Sequence, residues 1–475
     1  MEELNILSKY SSTLLTLVVS VIFVFIGVIY SKKYQGINNY LVANRSIGIF
    51  SLTTSLVASA LGTWILFGPA SAATWGGIGA VIGYSLGAAF PLFILIYLGE
   101  KIRDAYPKAK TLIEVIRLRF GSDLFKLIMF LSIFYMTIFL IAEVTAVSLL
   151  IKYISGTDLW VTSLIVILSS LIYTLYGGLR ASIFTDNFQF IIFGILLVIG
   201  FYYLISSNND FSLEYIKLSK PNLLSSSYLP NFTAGITFFI AVAATNLFHQ
   251  GNWQRVYAAK DNKVLKSSLI ISFIIIIPIV FFMGFSGLVA VSKNSNIIPD
   301  LAFFSLLLKD NALILSIILI ILSISLTISS VDTLINAISS LIVVDGKKII
   351  KFKGNYLNLS KKIIIILSLI TFFISSQGLS ILYLFLLADL FCCAAVLTIF
   401  YSFYSKKLND KNSFVAILLG LSLGLLLFPT PDFSKSIIIG IIFPIDFFPT
   451  YMSNSLLFLS FVTATFLPII IWRFK

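Results

Sequence analysis

Apolar runs about twenty residues long recur from one end of this 475-residue chain to the other, and a run of that length matches the hydrocarbon thickness of a bilayer crossed as a helix. Applying that window along the sequence predicts about thirteen spanning helices. They fall at 11–31, 47–72, 77–98, 125–151, 159–176, 183–205, 232–253, 267–292, 311–344, 361–377, 379–402, 413–430 and 453–472. A further apolar stretch, 435–446, is expected to be re-entrant or interfacial. Too little polar sequence is left over for an aqueous domain, because 59% of the residues are hydrophobic and only 11% are charged. Residues 1–475 are therefore expected to form a single all-α transmembrane domain. A membrane enzyme would need a nucleophile or metal cluster, and one His with the adjacent Cys392 and Cys393 in an apolar run does not provide it.

The formal charge of +13 would suit a nucleic-acid partner if it formed a patch, but it is distributed as an orientation signal. Lys9, Lys152, Lys217, Lys220, Lys293, Lys309 and Lys435 are spread thinly over one set of alternate loops. The other Lys and Arg residues gather on the opposite side, in groups such as Lys347, Lys348, Lys351 and Lys353, then Lys406, Lys407 and Lys411, then Arg473 and Lys475. Arg255 is counted with this second set. The alternation predicts a multi-pass plasma (inner) membrane protein with its N-terminus outside and its C-terminus cytoplasmic, and it excludes a nucleic-acid partner. The first run is expected to be retained, since Met1 to Tyr10 carries acids where a cleavable leader has a basic start.

Four acids fall at membrane depth, where an ionisable side chain is costly and functional by default: Glu143, Asp186, Asp332 and Asp389. Asp186 follows Arg180 by six residues, which allows either a local interfacial ion pair or an ion site. Asp332 lies in a hydroxyl-rich run, Ser323, Ser325, Thr327, Ser329, Ser330 and Thr333, inside a long apolar span. Such hydroxyls serve either as helix glue, bonding back to carbonyls one turn earlier, or as oxygen ligands for a hard alkali cation. Two other segments, 51–64 and 243–253, are unusually rich in small, hydroxyl and amide residues. Five spans separate them, the spacing that an inverted repeat of five plus five helices requires, and interrupted helices at matching positions point to a binding site.

Tyr173 and Thr174 followed by Gly177, Gly178, Leu179, Thr185, Asp186 and Gln189 resemble the signature of the sodium/solute symporters, the family of sodium/proline, sodium/sugar and urea-type carriers. The segment 110–121 and the run Trp253, Gln254, Arg255, Ala258, Ala259 and Lys260 resemble two more of its motifs. The resemblance implies a LeuT-type core of inverted repeats at about 46–205 and 232–402, with one extra N-terminal and two extra C-terminal helices. It implies sodium (Na+) as coupling ion, held by the carbonyls of Ala58, Leu61 and Leu326 and the hydroxyls of Ser329 and Ser330. A second ion is implied near Asp186, Asp332 and Thr333, although Asp332 stands where relatives usually carry a hydroxyl. The solute pocket would use Thr63, Trp64, Asn246, His249, Gln250 and Asp389; Glu143 matches no motif. The implied function is sodium-coupled symport of a small polar solute, such as an amino acid, urea, sugar or carboxylate, with the bilayer as the other partner and no protein partner evident. A proton-coupled or urea-type carrier of the same fold is the alternative, ahead of a passive channel or a transport-like sensor.

Overall fold

In lipid no water is available to satisfy the backbone, so each apolar run must close its own hydrogen bonds as a helix. The computed structural model describes the chain apart from residues 1–2, 34–35, 207–209, 226, 309–311, 405–409 and 474–475, and apart from the side chains at 173, 176, 472 and 473. Lys309, Lys406, Lys407 and Lys475, with the side chains of Tyr173 and Arg473, thus lie outside the described residues.

The principal helices are α1 (Lys9–Lys33), α2 (Ile49–Ala60), α3 (Gly68–Ala105), α4 (Leu112–Arg119), α5 (Ser122–Ser155), α6 (Leu159–Ser206), α7 (Leu229–Phe248) and α8 (Gln250–Ala258). They continue with α9 (Asn262–Lys293), α10 (Ala312–Val344), α11 (Tyr356–Ser375), α12 (Ile381–Tyr401), α13 (Asp410–Leu427) and α14 (Leu456–Arg473). Ten described helices are long and apolar enough to cross a membrane, and three shorter apolar helices occupy Ile49–Ala60, Leu159–Ile172 and Leu456–Ile471.

Two expectations from the sequence change. The run 47–72 is not one helix: α2 stops at Ala60, a single tight turn occupies Thr63–Leu66, and α3 begins at Gly68 and also takes in the whole of 77–98. The runs 159–176 and 183–205 join through one helical path that bends at Gly178. Gly178 (φ 59°, ψ −158°) and Gly77 in α3 (φ 58°, ψ −156°) adopt the same positive-φ conformation, which only glycine takes without strain. The apolar run 435–446, expected to be re-entrant or interfacial, forms turns and isolated bridges and enters a short 3-10 turn at Ile445–Phe447, with Ile437, Ile441 and Ile442 exposed.

At the centre lies α10, buried on every face from Leu322 to Val343 and packed against α1, α5, α6 and α11. That position explains why its sequence is apolar or small all round. On another side α3 packs along α7 and α9. A Cβ on Gly83 would lie 2.1 Å from the carbonyl oxygen of Gly235, and one on Gly79 would lie 1.8 Å from that of Asn231, so backbone meets backbone there. Small residues one turn apart are how membrane helices gain this packing without a hydrophobic driving force between them.

Candidate functional site

Two helical paths break, at Leu61–Gly62 and at His249, and each break is stabilised by side chains. Where α2 ends, Leu61 (φ −100°, ψ 82°) and Gly62 (φ −81°, ψ −176°) leave helical geometry. The Trp64 indole donates to the freed Ala60 carbonyl at 3.2 Å, and the Thr63 N–H donates to Glu143 Oε2 at 2.8 Å. Glu143, on α5, is thus an acid at a helix start, satisfying one of the orphan donors that a new turn presents. Space is what demands glycine at 62, because a Cβ would lie 2.1 Å from Glu143 Oε1 and 2.6 Å from Ser330 Oγ. Where α7 ends, His249 (φ −58°, ψ 110°) interrupts the helix. Asn252 Nδ2 donates to the Asn246 carbonyl and Trp253 Nε1 to the Leu247 carbonyl, each at 2.8 Å. Both breaks therefore return a tryptophan indole to a carbonyl that has lost its helical partner.

A cavity of about 40 Å³ lies between the breaks. Four of the expected solute residues line it: Trp64, Asn246, His249 and Asp389. Thr63 and Gln250 are turned elsewhere. The Thr63 hydroxyl meets the Thr327 hydroxyl on α10, whereas Gln250 accepts from the Leu112 N–H at 3.1 Å and donates to Ser340 Oγ at 3.3 Å, tying α8 to α4. The walls also include Glu143, Ser330, Ser59, Thr245 and the rings of Tyr84, Phe139 and Phe385. Of these, Glu143 was visible in the sequence as an acid at membrane depth; the aromatic walls carry no signal that separates them from ordinary core. Asp389 Oδ1 accepts from the Thr245 hydroxyl at 2.7 Å.

Beside the cavity, the hydroxyl run of α10 faces the end of α2. Ser329 Oγ donates to Asp186 Oδ1 at 2.7 Å, while Ser330 Oγ, 6% exposed, has no hydrogen-bond partner among the described residues. Leu326 sits one turn before Ser330 on the same helix, and α10 packs against α2. Asp332 accepts from Ser182 Oγ at 2.8 Å and from Thr333 Oγ1 at 3.3 Å.

The structure decides between the alternatives left open for Arg180 and corrects the placing of Arg255 in a loop. Arg180 does not pair with Asp186; its Nη1 donates to Ser46 Oγ at 2.9 Å and to the Ala43 carbonyl at 3.2 Å. The cation on Asp186 is Arg255, at 2.9 Å with both side chains fully buried. Arg255 is therefore not a loop residue. The break at His249 lets the chain restart as α8 inside the bundle and carries the arginine with it. Its Nε donates to Ser55 Oγ at 2.7 Å, its Nη1 to the Gly251 carbonyl at 3.1 Å, and its Nη2 also reaches Thr333 Oγ1 at 2.9 Å. Ser55 Oγ in turn donates to Asp186 Oδ2 at 2.5 Å. A buried ion pair persists only with this degree of additional hydrogen bonding.

Residues 40–420 match the model of the sodium:solute symporter family. The chain belongs to that family. Among relatives of this chain, a spermidine transporter of Candida albicans is 26% identical over 287 residues, 60% of this chain and 54% of the relative. The sodium/glucose cotransporter 4 of Danio rerio is 29% identical over 170 residues, 34% of this chain and 24% of the relative. The chain thus spans about half the length, or less, of these two relatives. A sodium-coupled sialic acid symporter, solved substrate-bound and outward-open, matches with a TM-score of 0.69 over 96% of this chain and 97% of its own, at 17% identity. A nucleobase-cation-symport-1 family transporter in a closed conformation matches at 0.57, covering 92% and 94%, with 14% identity. At such identities the likeness is one of fold: an all-α, multi-pass membrane architecture.

Proposed function

We propose that this protein is a sodium-coupled secondary transporter that carries a small polar solute by alternating access. In this reading the core consists of two inverted repeats of five helices, about 46–205 and 232–402, preceded by α1 and followed by α13 and α14. The N-terminus is outside, the C-terminus is cytoplasmic, and the membrane is the plasma (inner) membrane.

The observation that carries the reading is Ser330 Oγ, buried and unpartnered beside the broken end of α2. An unsatisfied hydroxyl there is costly unless something accepts its lone pairs, and a hard cation prefers such oxygen ligands. Sodium is assigned to the carbonyls of Ala58, Leu61 and Leu326 and the hydroxyls of Ser329 and Ser330. A second ion at Asp186, Asp332 and Thr333 would require Arg255 to leave Asp186, so one ion is assigned to the arrangement described. Trp64, Asn246, His249 and Asp389 are assigned to the solute, and Thr63 and Gln250 to holding the broken segments in place.

The named substrates of the two relatives make different demands: spermidine is a polycation, glucose a neutral polyol. Purified protein in proteoliposomes should accumulate a labelled member of a panel of spermidine, glucose, proline and urea only under an inward sodium gradient. Equal uptake with and without that gradient would overturn the coupled reading.

A further inference from the structure

We propose that the solute carries a protonated amine, whose N–H groups donate to Glu143 and Asp389 while its charge lies among the aromatic walls of the same cavity. The inference rests on the transporter reading and specifies its solute. Glu143 comes from α5 and Asp389 from α12, and both line one cavity. They are 1% and 4% exposed, and neither takes part in any of the ion pairs among the described residues. Glu143 accepts from the Thr63 N–H at 2.8 Å and is also met by the Thr63 hydroxyl and the Trp64 N–H, whereas Asp389 accepts from Thr245 Oγ1, so acceptor capacity is left on carboxylates that hold up to about four lone-pair sites. Carboxylates buried this deeply call for a cation or strong donors.

Independent features of the walls agree. His249 Nδ1, on a residue 8% exposed that lines the cavity, lacks a hydrogen-bond partner among the described residues. The Trp64 and Tyr84 rings stack at 5.5 Å between centroids, and Phe139 meets Phe385 edge-on at 4.9 Å. Aromatic faces around a pocket stabilise ammonium groups. No Lys or Arg is among the lining residues, so the carboxylate of a zwitterion or an acidic sugar would find no cationic partner there. Because the acids are hydrogen-bond acceptors, an amine bearing N–H groups is expected to bind more tightly than a quaternary ammonium.

The test is binding of labelled diaminobutane to the purified full-length protein in sodium, with unlabelled competitors. Spermidine should displace it, whereas butanediol of the same chain length, glucose and proline should not. Asp389→Asn and Glu143→Gln should each weaken binding by about tenfold or more, the loss expected for a charge-assisted hydrogen bond. Glu143→Gln keeps a carbonyl oxygen for the Thr63 N–H, and Asp389→Glu, which restores the charge, should recover binding. A sodium-induced rise in melting temperature, measured on every variant, reports folding and the ion site separately. A wild-type protein that shows this rise but ignores every amine, or that releases diaminobutane to butanediol as readily as to spermidine, overturns the amine assignment alone. Wild-type affinity in both acid variants does the same. Absence of the sodium response in the wild type instead removes the coupled-transport reading.

Discussion

Ser330 and Gly62 face each other across the broken end of α2, and each has one specific dependency. Ser330→Ala removes one of five proposed oxygen ligands without leaving any protein partner unsatisfied, since the hydroxyl has none among the described residues. The expected result is a rise of about tenfold in the sodium concentration for half-maximal uptake, with an unchanged melting temperature in sodium-free buffer. Gly62→Ala drives a methyl group into the Glu143 carboxylate and the Ser330 hydroxyl, so sodium-dependent uptake should be lost. Gly48→Ala, whose new Cβ meets nothing within 4 Å, should leave uptake at the wild-type level. The Asp186–Arg255 pair tests differently. Arg255→Leu leaves a buried carboxylate uncompensated and should destabilise the protein by about 3–5 kcal/mol, and adding Asp186→Leu should restore most of that loss. Thermal unfolding of the two variants side by side checks the sign.

Among the elements, α3 and α7 touch through backbone, and Gly83 sets their separation. Gly83→Val should cost about 1–3 kcal/mol or more by overpacking, seen as a fall in melting temperature and in the yield of folded protein. Both helix breaks were legible in the sequence because lipid-facing helices seldom concentrate small, hydroxyl and amide residues as 51–64 and 243–253 do. What the sequence could not give is the rotation of a side chain about its helix. Thr63 and Gln250 sit beside Trp64 and His249 in the chain, yet they point to α10 and α4 rather than into the cavity. Partners were equally hidden: Arg180 is six residues from Asp186 but turns away, and the true partner, Arg255, is 69 residues along the chain. Tyr84, Phe139 and Phe385 had no periodic or chemical mark at all, because an aromatic on a cavity wall and one in the core are written with the same letter.

For the whole molecule, the alternation of basic loops yields a direct prediction of sidedness. With Cys392 and Cys393 buried, single cysteines can be placed at exposed positions and probed with a membrane-impermeant maleimide. Lys435→Cys should be labelled on intact cells, whereas Lys351→Cys should react only after the membrane is opened; both side chains are exposed. The reverse pattern would invert the proposed topology.

Glu143 and Asp389 also bear on how the carrier couples to voltage. Glu143 and Asp389 lie within the membrane's electric field with no protein cation on them among the described residues, and they make the unloaded site negative whenever both are ionised. Each elementary charge that crosses 100 mV is worth about 2.3 kcal/mol. Sodium and one ammonium together offset both carboxylates, so the loaded site is neutral and its inward stroke draws nothing from the resting potential. The unloaded site, if its carboxylates shift within the field on the return stroke, is pushed outward by the same potential. The electrical work then falls on the return of the empty site, so the turnover of the proposed carrier should steepen with membrane potential even where the chemical sodium gradient is clamped at zero.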